Sequence, residues 1–302
     1  MSVLRFIWRL INPFLPASLR ERIRSRYRAT ASDTRRQKLL AGLNSHDLSG
    51  VEIGALASPL VKPEDGRILY VDYTDTASLK EKYRHDPNVV NENIVDVGAI
   101  WGSQSLQDCI GTDTKVDYVL ASHVIEHVPD LITWLAEIHA ILKPGGSLRL
   151  AVPDRRYSFD YLRFETRIHD VLDAYLRRAR VPLPRLIIEF NSLARVVDCR
   201  KAWDGVLDPA HLQPMGTKEN GLSLAAQSLA DGSYHDVHCW VFTPKSFAEL
   251  CTELAELDLL NFACDSLIET ARGELEFFVS MLPCKDGKAA AASWRRAAAD
   301  LK

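Results

Sequence analysis

The sequence lacks the marks of several large protein classes. Its six cysteines (Cys109, Cys199, Cys239, Cys251, Cys264 and Cys284) are scattered over 302 residues without a CxxC pair. That spacing argues against a disulfide framework or a zinc knuckle and suits reduced thiols in a cytosolic protein. No apolar run approaches the ~20 residues that span a bilayer. The start, MSVLRFIWRLINPFLP, has no small-residue cleavage site of the signal-peptide kind. There is no internal repeat. The net charge is only −3, so the total asks for no polyanion, and no nucleic-acid partner is expected. What remains is an ordinary globular composition, 47% hydrophobic and 25% charged, at a length that suits one large domain or one domain with an insert.

The charge is uneven. Residues 1–28 carry seven arginines against one acid, Glu21. Two readings of this segment stand. It is an interfacial amphipathic stretch, with Phe6, Ile7, Trp8, Leu10 and Phe14 facing headgroups and arginines meeting anionic lipid, or a terminal helix packed on its own domain. Pro13 and Pro16 keep the apolar part short, which favours the packed helix. The corresponding location is cytoplasmic, with a peripheral contact at the inner membrane face left open. Oligomeric state is not readable.

Short apolar, β-branched runs follow at regular spacing: GVEIG (50–54), RILYVD (67–72), NIVDVG (93–98), VDYVLAS (116–122) and SLRLAVPD (147–154). Runs of this kind are strands buried on both faces of a parallel sheet. Between the last two, DLITWLAEIHAILKPGG (130–146) has Leu131, Leu135, Ile138 and Leu142 at helical spacing. Asp130 is its expected N-cap and Lys143-Pro144-Gly145-Gly146 its stop. Strand, helix, glycine turn and strand make a right-handed βαβ unit. The rhythm then breaks, with one long helical pattern over Tyr161–Arg180. It resumes at HCWVFTPKSFAELCTELAEL, read as a strand re-entering the sheet before a helix with Pro244 in its first turn. FACDSLIET and ELEFFVSML around Ala271-Arg272-Gly273 read as a hairpin.

The expected fold is therefore α/β: a doubly wound, mostly parallel, seven-stranded Rossmann-like sheet with a C-terminal antiparallel hairpin and a helical insert after the fifth strand. The chain divides into a basic helical extension (1–47), a cofactor-binding half (48–154), an insert serving as acceptor lid (155–238), the remainder of the domain (239–284) and an exposed tail or terminal helix (285–302).

Open α/β sheets bind ligands at the carboxyl ends of their strands. There the sequence sets Glu52 and Gly54, then Asp72, Asp96, Ser122-His123 and Asp154. Gly54 permits close approach to the backbone. Asp72, 18 residues further on, stands where a carboxylate accepts two ribose hydroxyls. Asp96 suits the exocyclic amine of a purine. A dinucleotide is disfavoured, because Pro59 and Pro63 interrupt the helix that would hold a pyrophosphate. The same interruption argues against a nucleotide-binding oxidoreductase.

The blocks VEIGALASPL, ILYVDYTD, NIVDVGAI, VDYVLASHVIEHVPD and ILKPGGSLRLAVPD, in this order, resemble class I S-adenosylmethionine-dependent methyltransferases. IEHV and LKPGG are the most specific parts. The glycine loop is the least, since Leu56 and Ser58 occupy later glycine places. The whole chain is also similar to a bacterial subgroup associated with glycan and cell-envelope biosynthesis. The resemblance implies S-adenosyl-L-methionine as cofactor. It implies Glu52 at the methionine amino group, Gly54 and Ala55 along the methionine tail, and Asp72 on the ribose. Asp96 and the Val97 amide would meet the adenine, Trp101 would cover it, and Ser122 and His123 would lie beside the sulfonium.

Methyl transfer to a hydroxyl also needs a general base. The candidates are His123, Asp154, and His235, Asp236 and His238 of SYHDVHCWVF, which is expected to overhang the mouth of the site. No metal ligand set is expected: His235 and His238 project differently on a strand, and no third histidine is nearby in sequence. His127 reads best as a hydrogen-bonded histidine holding its loop. The acceptor expected first is a sugar hydroxyl of a glycan, lipid-linked sugar or related metabolite. N-methylation, small-molecule O-methylation and an inactive cofactor-binding partner stand as alternatives.

Overall fold

A computed structural model describes residues 34–86 and 89–301. The chain divides into two compact units, 1–42 and 43–302. Of the first, only residues 34–42 are described, with a helix over 34–39. The arginine-rich segment 1–28 lies outside the described residues.

The second unit is built on one sheet of seven strands in the order β3-β2-β1-β4-β5-β7-β6. These are β1 (Ser49–Ile53), β2 (Arg67–Asp72), β3 (Ala99–Ile100), β4 (Val116–Ser122), β5 (Leu142–Pro153), β6 (Phe262–Ile268) and β7 (Glu276–Pro283). β1 pairs in parallel with both β2 and β4, and β4 with β5. β7 runs antiparallel between β5 and β6. Val51, Val119, Leu120, Leu148 and Leu150 are fully buried, as central strands covered on both faces require. The order reverses between β1 and β4, so the crevice for a ligand opens at their carboxyl ends.

Nine helices flank the sheet in the described part of this unit: α1 (Thr76–Lys82), α2 (Leu106–Ile110), α3 (Leu131–Ile141), α4 (Ile168–Leu176), α5 (Pro184–Leu193), α6 (Cys199–Trp203), α7 (Lys218–Asp231), α8 (Pro244–Glu256) and α9 (Gly287–Asp300). α3 starts where its cap predicts: Asp130 accepts from the Thr133 amide at 3.0 Å, and Leu131, Leu135 and Ile138 face the core. α8 opens on a reciprocal capping box between Thr243 and Ser246. All six cysteines are free.

Five elements differ from their sequence patterns. NIVDVG is no strand. Val95 N bonds Leu56 O, and Val97 N bonds the Thr76 hydroxyl. The ladder forms only at Ala99–Ile100, so Asp96 precedes β3 instead of ending it. β5 begins at Leu142, because LKPGG enters the sheet through a register shift opposite Val116–Tyr118 instead of turning free of it. The helix expected over Tyr161–Arg180 is confined to α4, since the preceding backbone bonds elsewhere (Arg163 N to Asp160 O, Thr166 N to Val241 O). HCWVF forms no ladder strand; its one bridge joins Phe242 to Asp154. The C-terminal segment takes the terminal-helix alternative as α9 but is packed, not exposed: Trp294 is fully buried and donates to Phe262 O at 2.9 Å.

Gly50 sits opposite Tyr118 in the β1–β4 register. A Cβ built there would lie 2.1 Å from the Tyr118 ring, and that ring is fully buried. Gly50→Ala is expected to cost ~1–3 kcal/mol by overpacking, read as a lower urea midpoint with an unchanged far-ultraviolet spectrum.

Candidate active site

The carboxyl ends of β1 and β2 form one half of the site. After β1 the chain turns through two left-handed residues, Gly54 (φ 68°) and Leu56 (φ 46°). A Cβ at Gly54 would meet Val124 of the β4 loop at 2.7 Å, so the two loops close together only over glycine. Leu56 holds a conformation that costs a side-chain-bearing residue ~1–2 kcal/mol. Glu52, buried next to the end of β1, pins this loop: its carboxylate accepts from Leu60 N (2.8 and 3.0 Å) and Val61 N (3.2 Å). Its oxygens are thus turned to the chain's own amides. Burial pushes its carboxyl up to about 7, against the pull of those two amides.

Asp72 ends β2. One oxygen accepts from the Tyr73 amide at 2.8 Å, and burial raises the carboxyl's pKa against the effects of that amide and of Lys82. The second oxygen has no hydrogen bond among the described residues. Asp96 is exposed, and the Val97 amide is taken by Thr76. Trp101 follows β3, donates to Glu137 at 2.9 Å and stacks on Trp134 with ring centres 6.1 Å apart. Ser122, at the end of β4, has a buried hydroxyl without a hydrogen-bond partner.

The second half gathers around the β4 end. His123 has a left-handed backbone (φ 55°), a strained geometry of the sort found where a side chain is aimed for function. Its Nε2 lies 2.6 Å from Oε2 of Glu276, at the start of β7. A hydrogen bond to that carboxylate requires a proton on Nε2, and a neutral ring so bonded carries its lone pair on Nδ1. Nδ1 is 3.8 Å from Oε1 of the fully buried Glu126. Residues 125–127 form a single 3-10 turn ahead of α3.

Segment 233–238 reaches this edge through Asp236 and His238. Asp236 lies 3.0 Å from Lys82 and 2.9 Å from His127 Nδ1. Burial pushes its carboxyl up, but His127 and Lys82 together hold it well below the usual carboxylate range. His238 is buried, with Nδ1 2.6 Å from Asp160, which also accepts from Arg163 at 2.9 Å. His235 turns aside to Ser233, 3.2 Å away. Asp154 also stands apart from base chemistry. Both its oxygens are engaged, by Arg156 (3.0 Å to its amide, 2.7 Å to its guanidinium) and by Thr270 (2.7 Å).

The fold therefore brings together Asp72, Ser122, His123, Asp236 and His238. It leaves His235 and Asp154 in other contacts. It adds Glu126, Asp160 and Glu276, none of which carried a role in the sequence reading, and His127, which was read only as a histidine holding its loop. The signal for Glu126 was its place in the IEHV block; Asp160 and Glu276, in an irregular insert and a hairpin, had none. The donor set fits a nucleoside-bearing cationic donor: a buried carboxylate with a free oxygen at β2, and an orphaned hydroxyl at β4.

The family described as "Methyltransferase domain" matches residues 74–259. No curated protein matches. Among solved structures, the CcbJ methyltransferase from Streptomyces caelestis aligns over 84% of this chain and 96% of its own, at 11% identity and a TM-score of 0.43. The glycopeptide N-methyltransferase MtfA, complexed with S-adenosyl-L-methionine, aligns over 83% and 93% at 13% identity and 0.41. A Rhodobacter sphaeroides protein described as a putative Zn-dependent alcohol dehydrogenase aligns over 83% and 90% at 14% and 0.44. Likeness at this level carries no argument about chemistry.

Glu52 yields a stability test. Its folded pKa stands well above the ordinary glutamate value, so the fold favours the protonated form. That contribution is complete below the unfolded value and is lost as pH rises through about 7. Between about pH 5 and about pH 8, urea unfolding should show the native chain losing on the order of 3 kcal/mol more stability than Glu52→Gln.

Proposed function

Because the chain belongs to the methyltransferase-domain family and is an enzyme that takes its methyl group from S-adenosylmethionine, we propose that its acceptor is a hydroxyl, that of a sugar in a glycan, a lipid-linked saccharide or a related metabolite. The carrying observation is the His123–Glu276 pair, 2.6 Å apart at the end of β4. A neutral amine attacks without a base. A sugar hydroxyl, with a pKa far above neutrality, needs its proton removed as it attacks. The carboxylate that fixes the His123 tautomer also stabilises the imidazolium formed on proton uptake, the logic of an oriented catalytic histidine.

When bound, the cofactor supplies an electrophilic methyl on a sulfonium whose leaving group departs neutral. The chain's own work is positioning and proton removal. Asp72 accepts from the ribose hydroxyls. Glu52 keeps the β1 loop shaped through Leu60 and Val61. His123 Nδ1 takes the acceptor proton. The acceptor hydroxyl donates its single proton to His123 Nδ1. Alignment of donor and acceptor supplies ~7–11 kcal/mol of barrier reduction in well-oriented systems.

A saccharide is further supported by an exposed aromatic surface at the mouth. Tyr73 and Tyr234 stack with ring centres 6.2 Å apart, beside Lys82 and Asp236. Such a surface receives the apolar face of a sugar ring while neighbouring polar groups meet its hydroxyls. Among the described residues, no helix is long and apolar enough to cross a membrane.

Two variants separate binding from chemistry. Asp72→Ala should weaken calorimetric binding of S-adenosylhomocysteine at least about tenfold, the loss of a charged hydrogen-bond acceptor. His123→Asn retains a residue tolerant of positive φ but no base. It should bind the cofactor normally and lose ~10²–10⁴-fold in kcat, with the native enzyme's methyl located on oxygen by mass spectrometry. Turnover on amines alone would sink the hydroxyl assignment, and cofactor binding without turnover on any acceptor would favour an inactive partner protein.

A further inference from the structure

We propose that Glu126, His127 and His238 form a binding site for one divalent transition-metal cation of the zinc kind. One ligand atom from each residue lies within 4.8 Å of the others. The convergence is on a single oxygen: Glu126 Oε1 is 3.9 Å from His238 Nε2 and 4.0 Å from His127 Nε2.

The second, independent observation is Glu126 itself. Its side chain is fully buried, and neither carboxylate oxygen has a hydrogen-bond partner. A buried carboxylate in that condition is strongly unfavourable unless a cation meets it. Neither histidine does so directly, because 3.9–4.0 Å is beyond hydrogen-bond reach. The gap is one that an ion fills.

The outer shell is also present. His238 Nδ1 is 2.6 Å from Asp160 Oδ2, and His127 Nδ1 is 2.9 Å from Asp236 Oδ1. Each ring therefore has a carboxylate behind it, and each Nε2 is turned toward Glu126. Carboxylates behind ligating histidines fix the ring and raise its basicity as a ligand. The rings stand edge to face at 85°, centres 4.6 Å apart, so the two Nε2 atoms approach from different directions.

Donor chemistry selects the ion. Two imidazoles and one carboxylate suit zinc and its transition-metal neighbours; calcium and magnesium prefer oxygen throughout. Ligand atoms around a tetrahedral zinc lie ~3.3 Å apart at bond lengths of ~2.0–2.1 Å, so loading draws the three side chains inward by roughly half an ångström. Three protein donors leave a position for water or an acceptor oxygen. His123 Nδ1, 3.8 Å from the same Glu126 oxygen, sets that position beside the base. The placement relative to acceptor rests on the reading above; the binding of the ion does not.

The test uses the full chain, stripped with a chelator and then titrated with Zn²⁺ by calorimetry and with Co²⁺ by visible absorption, without donor or acceptor. One ion per chain is expected, with cobalt bands of a low-coordinate site. Glu126→Gln and His238→Ala should each weaken binding at least tenfold, while His211→Ala, an exposed histidine of the insert, should leave it unchanged. No uptake by the native chain, or equal affinity in both site variants, overturns the proposal. Should a variant fail to fold, X-ray absorption on the zinc-loaded native chain decides. Imidazole scattering supports the site and an oxygen-only shell refutes it. Because no methyl transfer enters the readout, a failure here is distinct from a failure of the hydroxyl assignment.

Discussion

One backbone carbonyl holds the second half of the site together. Glu126 O accepts from both Cys239 N (2.6 Å) and Trp240 N (3.1 Å). Around it, Trp240 Nε1 donates to Val128 O at 2.7 Å, and the Cys239 thiol donates to His127 O at 3.5 Å. These four contacts stitch the turn after β4 to the segment that leaves the insert. Buried hydrogen bonds of this kind are costly to leave unmade, so the two segments move as one. His238 faces Glu126 because its next two amides are fixed to the backbone of Glu126. Without that stitch His238 would have no fixed place, and the β4 end would hold only its own His123, Glu126 and His127.

The same packing sets the electrostatics. Burial pushes Asp160 toward the neutral acid, but His238 and Arg163 outweigh it and hold the carboxylate below its ordinary value. Burial likewise favours neutral His127, and its neighbours Asp236 and Glu126 reverse that, raising its pKa. His123, His127 and His238 each have a carboxylate oxygen within 3 Å of a ring nitrogen. Glu126, at the centre, faces rings whose own partners lie behind them. The arrangement is a set of imidazoles aimed inward by an outer rim of acids. It costs more than an apolar core would, which is reason to read it as functional.

The sheet was legible because its strands carry their own evidence. Continuous apolar β-branched runs can be buried on both faces in only one common architecture, and Asp130 marks the start of α3 through a local bond to Thr133. The errors fall where bonding is not local. NIVDVG has strand composition, yet Leu56 and Thr76 claim its amides. HCWVF has the same composition, and Glu126 and Thr166 claim its donors. The site divides in the same way. Asp72 and His123 are marked by standing at strand ends. Glu276 and Asp160 become partners only when residues 153 and 78 positions apart in sequence meet, and no spacing rule reports such meetings.

The loop after β1 bears on whether the chain is an enzyme or an inactive relative of one. Leu56 and Ser58 stand where glycine would most easily supply left-handed turns. Yet Leu56 adopts φ 46° beside Gly54 at φ 68°, so the left-handed turn persists at a residue that pays a steric penalty for it. Tertiary bonds offset that penalty: Glu52 receives Leu60 N and Val61 N, and Leu56 O receives Val95 N at 2.9 Å. A loop built in this way depends less on glycine's freedom and more on the buried acid behind it. Leucine and serine at 56 and 58 therefore do not by themselves argue against a shaped cofactor loop, because the left-handed turn at Leu56 is held by these bonds.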